Sequence, residues 1–449
     1  MDGMTIRKAA LACGGRICGA GDLECELGRA VIDSRAVCPG DLFVAYRGER
    51  VDGHDYIAAA FERGAACCLA ERVPEGETRP IILVESVQKA LEQIAAAYRE
   101  TLPIPVIGIT GSVGKTSAKE MIASVLSQRL RVLKTEGNLN NQIGVPMTAS
   151  RITREHEAAV VEMGISGFGE MTELARIARP TAAVYTVIGS AHLEFLHDRD
   201  GVLRAKGEML DEMDADAPVF VNGDDDKLRA LRCRQKKILF GLGEHNDLRA
   251  EKLRLLPDGG TACELVAGER RIAVEIHAFG RHMVYAALAG AAVGMAFGLT
   301  DEEIAAGVAA YQTVGRRGAV TETGCLTLID DCYNANPDSC RCGVDSLLQL
   351  PGRPVCIFGD MLELGEDAPA MHAAIGQYAK EKGVALTLCC GPLSEETAKA
   401  ADGIHYVNRE ALIADLPRQL RKGDAVLVKA SRGMRFEEIS EALKRLELE

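Results

Sequence analysis

The stretch Val106-Ile107-Gly108-Ile109-Thr110-Gly111-Ser112-Val113-Gly114-Lys115-Thr116 joins a short apolar run to a glycine-rich turn. Apolar residues then recur at helical spacing over residues 117–128. A buried strand that ends in such a turn and leads into a helix suits a polyphosphate. Glycine lets backbone N–H groups approach the phosphate oxygens, and the helix N-terminus adds a favourable field. The stretch therefore predicts a mononucleotide-binding loop in an α/β domain.

The side chains of this loop match the same chemistry. Lys115 can reach the β- and γ-phosphates, and the Thr116 hydroxyl can ligate Mg²⁺. Ile109 stands where the strict phosphate-loop pattern has its first glycine, so the preceding strand and the following helix supply the confirming context. We predict that the nucleotide contacts Thr110, Gly111, Ser112, Val113, Gly114, Lys115, Thr116 and Ser117.

Outward from the loop, the chain divides into three blocks. Pro103 and Pro105 break the chain after one helical pattern, and a Gly/Arg-rich stretch at residues 313–318 marks a second boundary. We predict an α/β protein of three domains: a small N-terminal α/β domain at residues 1–101, a central phosphate-loop domain with a mainly parallel sheet at residues 102–315, and a C-terminal Rossmann-like domain at residues 316–449.

The individual elements follow from apolar runs, which are typical of strands buried on both faces, and from helical spacing. Strands are predicted at residues 41–45, 81–84, 106–109, 158–162, 182–187, 219–221, 326–329, 355–358, 385–389 and 425–428. Helices are predicted at residues 87–101, 117–128, 283–299, 369–382 and 409–421.

Composition narrows the function classes. The net charge of −13 argues against a nucleic-acid partner, which would require clustered Lys and Arg. Residues 1–7 do not read as a signal peptide, and no apolar run has the roughly 18–20 residues of a membrane helix. The 15 cysteines lack regular spacing and form no Cys-x-x-Cys pair, which favours reduced thiols over disulfides or zinc. We therefore expect a cytoplasmic protein without membrane insertion.

Several further segments carry a resemblance to a known family. In chain order they are Asp33-Ser34-Arg35, Thr135-Glu136-Gly137-Asn138-Leu139-Asn140-Asn141, Glu162-Met163-Gly164, Ala191-His192-Leu193-Glu194, Lys206-Gly207-Glu208, Asp330-Asp331-Cys332-Tyr333-Asn334-Ala335-Asn336-Pro337, Gly359-Asp360-Met361-Leu362-Glu363-Leu364-Gly365 and Lys429-Ala430-Ser431-Arg432-Gly433. With the loop, they are similar to the Mur ligase superfamily, and within it to the branch that joins D-alanyl-D-alanine to UDP-N-acetylmuramoyl-tripeptide.

This resemblance implies an ATP-dependent amide ligase of cytoplasmic peptidoglycan precursor synthesis. Such an enzyme converts a carboxylate into an acyl phosphate, which an amine then attacks. The implied cofactors are ATP and Mg²⁺ at two sites, and the implied partners are UDP-N-acetylmuramoyl-tripeptide and D-alanyl-D-alanine. The first domain would recognise the UDP-linked substrate. We expect a monomer.

The resemblance also implies roles for individual residues. Lys115, His192 and Lys206 would be catalytic. Thr116 and Glu162 would hold one Mg²⁺, and His192 and Lys206 the second. Lys206 would be carbamylated, because a cationic lysine beside two metal ions would be repelled.

In the third block, Arg316 would face the γ-phosphate, and Asp331 would accept a hydrogen bond from the ribose. Tyr333 and Asn334 would lie beside the nucleotide. Asp338 and Ser339 are expected only to cap a helix. The implied substrate-binding residues are Ser34, Arg35, Asn138, Asn141, Lys429 and Arg432.

Each of these residues also has a purely structural interpretation. Glu162 could be a salt-bridged acid at a strand end, His192 a buried histidine with satisfied hydrogen bonds, and Lys206 a solvated helix lysine. Asp331 could form a turn. A group of acids could be a solvated loop or could lie near D-alanyl-D-alanine: Asp360, Glu363 and Glu366.

One segment departs from the family pattern. The family has Gly-x-His-Asn-x-x-Asn-Ala-Leu-Ala, whereas Met283 and Ala286 replace the two asparagines here. Loss of an amide contact to the base would weaken nucleotide binding by about 1–3 kcal/mol if polar groups stay unpaired. Two alternatives therefore remain open. One is a sister ligase that adds a single amino acid to a UDP-muramoyl peptide or glutamate to folate, and the other is a nucleotide-binding paralogue without catalysis.

Overall fold

The computed structural model describes residues 1–48, 51–256 and 259–448. Within these ranges the strands form three sheets, of five, nine and six strands, which follow one another along the chain. The α/β class with three domains is confirmed. The domain boundaries after residues 101 and 315 stay predictions, and the strands of each sheet fall within them.

The first sheet has the order β1-β5-β4-β3-β2, with β1 antiparallel to β5 and the other neighbours parallel. Its strands are β1 Arg16–Cys18, β2 Ala30–Val31, β3 Leu42–Val44, β4 Cys67–Ala70 and β5 Ile81–Leu83. The helices that accompany it are α1 Ile6–Cys13, α2 Ile57–Glu62 and α3 Val87–Glu100.

The central sheet has the order β14-β13-β12-β11-β10-β9-β6-β8-β7 and is parallel from β7 to β12, while β13 and β14 are antiparallel. Its strands are β6 Val106–Thr110, β7 Val132–Lys134, β8 Ala158–Glu162, β9 Ala182–Tyr185, β10 Val219–Asn222, β11 Lys237–Gly241, β12 Leu248–Leu255, β13 Thr261–Ala267 and β14 Arg270–Ile276. The helices are α4 Lys115–Leu126, α5 Gly144–Ala149, α6 Glu170–Ala178, α7 Leu193–Leu196, α8 Arg199–Asp211, α9 Asp226–Ala230, α10 Met283–Ala296 and α11 Asp301–Ala309.

The third sheet has the order β15-β16-β20-β17-β18-β19 and is parallel except for the edge strand β15. Its strands are β15 Ala319–Glu322, β16 Thr327–Asp330, β17 Pro354–Gly359, β18 Leu386–Cys390, β19 Ile404–Tyr406 and β20 Ala425–Lys429. Its helices are α12 Pro337–Leu347, α13 Ala368–Lys382, α14 Ser394–Ala400, α15 Arg409–Gln419 and α16 Glu437–Lys444.

Strand β6 lies in the interior of the central sheet, between β8 and β9, and all five of its residues are buried. The carboxyl ends of β6, β8 and β9 therefore meet at one edge, where open α/β sheets bind ligands. Helix α10 packs on α4, the helix that follows the loop, and is buried nearly all round. At Gly290 an added Cβ would lie 3.0 Å from Met121 Cγ, so the small residues of α10 permit this close approach. No helix in the described part of the chain is long and apolar enough to cross a membrane.

All 15 cysteines are free, and most of them are buried in the sheets and their helices. Burial raises the pKa of the Cys67 thiol to about 12 and that of the Cys263 thiol to about 11. These cysteines pack as small apolar residues.

Arg99, near the end of α3, holds the connection between the first and second sheets. Its side chain is buried, and the guanidinium donates to the carbonyls of Leu102, Ile104 and Ala178. Burial lowers the pKa of Arg99 to about 10. One side chain thus ties the Pro103–Pro105 connection to α6 of the central domain.

We expect Arg99→Ala to lower the free energy of unfolding by about 2–4 kcal/mol, because three buried carbonyls lose their donor. Urea denaturation followed by circular dichroism measures the change. The control is Arg7→Ala, which removes a half-exposed ion pair with Glu24 and should cost about 0.5 kcal/mol or less. Equal losses in the two variants would contradict the role of Arg99.

Candidate nucleotide and ligation site

A cleft of about 840 Å³ opens at the carboxyl edge of the central sheet and is closed on its other side by the third domain. Of the predicted site residues, those that line the cleft are Ser112, Val113, Gly114, Lys115, Thr116, Ser117, Asn138, Asn141, Glu162, His192, Asp331, Tyr333, Asn334, Lys429 and Arg432. Those that are not lining residues are Ser34, Arg35, Thr110, Gly111, Lys206 and Arg316.

The phosphate loop is held in shape by the two residues that follow β9. Ser112 N donates to the Val187 carbonyl at 2.7 Å, and the Thr186 hydroxyl donates to the Val113 carbonyl at 2.5 Å. A Cβ at Gly111 would lie 2.0 Å from Thr186 Oγ1, so only glycine fits there. Gly114 has φ +79°, which favours glycine, and it precedes the first turn of α4. Thr110 is fully buried beneath the loop.

Lys115 folds back over its own loop. Its Nζ donates to the Gly111 carbonyl at 2.7 Å, and the residue lines the cleft. Burial is the main cause that lowers the Lys115 pKa, and nearby Arg317 lowers it further. An anion between these two cations would relieve both the burial cost and their mutual repulsion.

Glu162 ends β8 with a side chain that is 1% exposed. Its two carboxylate oxygens accept from the Thr116 hydroxyl at 2.9 Å and from Asn140 Nδ2 at 2.8 Å. Lys119, also 1% exposed, lies 3.8 Å away. Sequence reasoning missed Asn140, although it stands in the same run as the predicted Asn138 and Asn141. Asn141 instead accepts from Gly144 N at 2.9 Å, at the start of α5.

His192 lies across the cleft from the third domain. Its Nδ1 is 2.5 Å from Glu363 Oε2, and this histidine lowers the pKa of the Glu363 carboxyl. Both residues have a left-handed backbone, with φ +57° and φ +64° respectively. Glu363 thus lines the cleft and contacts His192, although its side chain is 49% exposed.

Lys206 lies on α8 with a side chain only 1% exposed. Its ammonium donates no hydrogen bond to any residue that the structure describes. Burial is the main cause that lowers its pKa well below the ordinary value, Lys115 lowers it further, and Glu170 opposes the shift. A solvated helix lysine is therefore excluded, and burial shifts the protonation equilibrium of Lys206 toward the neutral amine.

The third domain contributes a paired acid and base to the cleft. Lys429, at the end of β20, donates to the carboxylate of Asp331 and, at 3.1 Å, to the Asn334 carbonyl. The Tyr333 ring has the Arg317 guanidinium 3.9 Å and the Arg432 guanidinium 5.4 Å from its centroid. Two cations on one aromatic ring form a surface suited to phosphate or carboxylate groups.

Arg316 is placed differently from the prediction. It pairs with Asp330 at 3.1 Å and with Glu441 at 2.9 Å, beneath the third sheet. Arg317 is the arginine that lines the cleft and acts electrostatically on Lys115. The two arginines are adjacent in the sequence, which does not indicate which of them lines the cleft.

The end of the cleft farthest along the sheet is lined by aromatic and small side chains. They include Phe240, Phe279, His282, Tyr285 and Ala286. Ala286 is buried, and the Tyr285 hydroxyl donates to Asp224 at 3.0 Å. The aromatic rings give this part of the cleft flat walls, and Ala286 presents a methyl group where the family pattern has an amide.

Ser34 and Arg35 lie in a 3₁₀ turn of the first domain. Asp33 caps this turn and pairs with Arg35 at 2.8 Å, and the Arg35 side chain is 84% exposed. They are not part of the cleft walls, so any role in binding must concern a substrate that extends out of it.

Comparison with known proteins identifies the family. Three family models match: the Mur ligase family catalytic domain at residues 30–99, the Mur ligase middle domain at residues 109–294, and the Mur ligase glutamate ligase domain at residues 315–432. The UDP-N-acetylmuramoyl-tripeptide--D-alanyl-D-alanine ligase of Bacillus subtilis is 36% identical, with 91% of each chain covered. The protein of that name from Escherichia coli is 35% identical, with 99% of each chain covered.

Solved structures agree. MurF from Acinetobacter baumannii superposes with a TM-score of 0.88 at 30% identity, with 99% of each chain covered. MurF ligase from Thermotoga maritima in complex with ADP gives a TM-score of 0.82 at 31% identity, covering 95% of this chain and 99% of that one. The chain belongs to the Mur ligase family.

We expect Arg317→Ala to raise the dissociation constant of a fluorescent ATP analogue about tenfold or more, because a phosphate group loses a charged donor. In the matched variant Arg316→Ala, the dissociation constant should stay within about threefold. That variant should instead lose about 1–2 kcal/mol of stability, because Asp330, 3% exposed, loses its partner. The reverse pattern would show that Arg316 faces the phosphates. Fluorescence titration and urea denaturation provide the two measurements.

Proposed function

We propose that this Mur ligase family member adds D-alanyl-D-alanine to UDP-N-acetylmuramoyl-tripeptide, using ATP, in cytoplasmic peptidoglycan precursor synthesis. The observation that carries the proposal is the cleft, in which the phosphate loop faces cations and an acid–base pair that belong to the third domain. The named activity of relatives that are 35–36% identical over nearly the full length supports the same reaction.

The chemistry begins with a carboxylate, which is a poor electrophile at neutral pH. An oxygen of the tripeptide carboxylate attacks the γ-phosphorus of ATP, and the bond to the β-phosphate oxygen breaks, releasing ADP. The amine of D-alanyl-D-alanine then attacks the acyl carbon of the acyl phosphate, loses a proton and releases inorganic phosphate. Both steps concentrate negative charge, so positioning and cations supply most of the catalysis. Lys115 and Arg317 are the side chains placed for that role.

The residues at the phosphate loop fit one magnesium ion, and the family resemblance implies a second ion at His192 and Lys206. At the loop, the Thr116 hydroxyl and the buried Glu162 carboxylate already lie together, and they are hard oxygen donors of the kind Mg²⁺ prefers. His192 and a carbamylated Lys206 would hold the second ion, with Nδ1 of His192 oriented by Glu363. Bound there, the ions would neutralise the charge that develops on the phosphoryl oxygens.

Carbamylation of Lys206 is supported by its environment. A carbamate forms when a neutral amine attacks CO₂, and burial lowers the pKa of Lys206, which raises the neutral fraction at a given pH. The product is an anion, which would be attracted to Lys115 instead of repelled by it. The modification thus removes the unfavourable burial of an unpartnered cation.

For the remaining predicted residues we propose the following roles. Asp331, held by Lys429, would accept from the ribose, with Tyr333 and Asn334 beside it. Asn138, Asn141, Lys429 and Arg432 would contact the acyl substrate where it enters the cleft. Ser34 and Arg35 would meet its UDP end in the first domain, outside the cleft. A monomer is sufficient for this arrangement, because a single chain supplies all of these groups.

The test is phosphate release by the purified protein with ATP, Mg²⁺ and UDP-N-acetylmuramoyl-tripeptide. We expect phosphate release with D-alanyl-D-alanine to be at least about a hundredfold faster than with D-alanine, L-lysine or L-glutamate. The reason is that a site that prefers the dipeptide must contact its second residue, which a single amino acid lacks. Preference for a single amino acid would indicate a sister ligase. No release with any acceptor would indicate a nucleotide-binding paralogue without catalysis.

We expect Lys206→Ala to lose activity by about a thousandfold, with partial rescue by added short-chain carboxylic acids that replace the carbamate. Activity of the parent protein should fall as pH falls, because protonated lysine cannot form a carbamate. In ¹³CO₂-equilibrated buffer the parent protein, and not the variant, should show a carbamate ¹³C signal. Full activity in Lys206→Ala would refute the carbamate. The control is Lys236→Ala, on the loop before β11.

A further inference from the structure

We propose that Asp338 is a positioning residue that docks the third domain onto the phosphate loop, through Gly189 and Ser190 of the central domain. The sequence predicts for Asp338 only a role in capping helix α12. The inference uses the nucleotide site of the proposed function and does not depend on which substrates are ligated.

The first observation is a contact between domains. Asp338 lies in the first turn of α12, and its Oδ2 accepts a hydrogen bond from Ser190 N at 2.8 Å. Capping of α12 is performed by Asn336, whose side chain accepts from Ser339 N at 2.8 Å while the Ser339 hydroxyl accepts from Asn336 N at 3.0 Å. The Asp338 carboxylate is therefore not needed as the cap and is directed at the central domain.

The second observation is the space at Gly189. A Cβ on Gly189 would lie 2.1 Å from Asp338 Oδ2 and 2.9 Å from its Cγ. The next nearest atom is Ser112 Cβ at 3.5 Å, which is ordinary van der Waals contact. Gly189 is not among the glycines with positive φ, so its backbone accommodates alanine. Within the described residues, Asp338 is thus the only group that excludes a side chain at position 189.

The third observation links this contact to the nucleotide. Gly189 N donates to Ser112 Oγ at 3.0 Å, and the same hydroxyl lies 3.3 Å from the Gly189 carbonyl. Ser112 belongs to the phosphate loop and lines the cleft. One side of the segment is anchored in the central domain, because Ile188 N donates to Asp225 at 2.8 Å and Arg199 Nε donates to the Ile188 carbonyl at 2.8 Å.

These contacts form a short path from the third domain to the loop. When α12 is docked, Asp338 holds Ser190 and packs on Gly189, whose backbone positions the Ser112 hydroxyl. Docking of the third domain and the shape of the loop are therefore coupled. The same docking brings Arg317, Tyr333 and Asp331 to the nucleotide, so loss of the contact should weaken both nucleotide affinity and turnover.

The experiment combines two substitutions in the whole chain, of which Asp338→Ala is expected to suppress the effect of Gly189→Ala. Gly189→Ala should prevent docking and lower kcat/KM for ATP about tenfold or more. Asp338→Ala should lower it roughly threefold to tenfold, because one interdomain hydrogen bond is lost. The double variant should recover to the level of Asp338→Ala, because removal of the carboxylate makes room for the methyl group. The matched control is Gly324→Ala, where an added Cβ meets nothing within 4 Å.

Two readouts do not require ligase activity. The dissociation constant of ADP should rise in the order in which kcat/KM falls. Small-angle scattering of the ADP-bound proteins should give Gly189→Ala the largest radius of gyration. Independent, multiplying losses in the double variant would overturn the proposal, as would a Gly189→Ala protein that matches the parent. If Gly189→Ala fails to fold, the comparison of Asp338→Ala with Asp338→Asn tests whether the acceptor at position 338 supports ADP affinity. Asparagine retains an acceptor for Ser190 N and should restore ADP affinity, whereas equal affinity in both variants and the parent would refute the role.

Discussion

The buried carboxylate of Glu162 is the constraint on which the site depends. A charge that is 1% exposed must be matched by donors, and here these come from the phosphate-loop helix through Thr116 and from the following segment through Asn140. Lys119, equally buried, adds a positive charge 3.8 Å away. The end of β8 is thereby fixed against the first turn of α4, the helix that follows the phosphate loop.

Much of the fold follows from the sequence because its strands are continuous apolar runs. Residues 106–109, 158–162 and 425–428 are strands in the structure, extended by one residue at most, as expected where both faces of a sheet are covered. The hairpin of β13 and β14 was not predicted. In β14 buried and exposed residues alternate, and its charged side chains pair with those of neighbouring strands, as Arg271 does with Glu264 at 3.3 Å. Such strands show no continuous apolar run in the sequence, so the criterion used for the buried strands does not detect them.

The position of a site residue could be predicted where the local sequence pattern determines it. It could not be predicted where contacts with distant parts of the chain determine it. The loop, Glu162 and Asp331 lie at strand ends and line the cleft as expected. Arg316 is held away from the cleft by Asp330 and by Glu441, which is 125 residues farther along the chain, and Arg317 lines the cleft instead. Glu363 and Asp338 likewise acquire their contacts only when the third domain meets the central one. Ser34 and Arg35 remain predictions, because they lie outside the cleft.

The distribution of cysteines has a practical consequence for chemistry on this protein. Thiols packed inside the sheets have raised pKa values and react slowly as nucleophiles, as for Cys67 and Cys263. Cys38 and Cys342 are exposed, and Cys342 alone of the two lines the cleft. An alkylating reagent would therefore label the folded chain at few positions and the unfolded chain at all of them. The cysteines thus serve as built-in probes. Labelling of Cys342 in the folded chain reports whether the cleft is occupied, and labelling of the buried cysteines reports global unfolding.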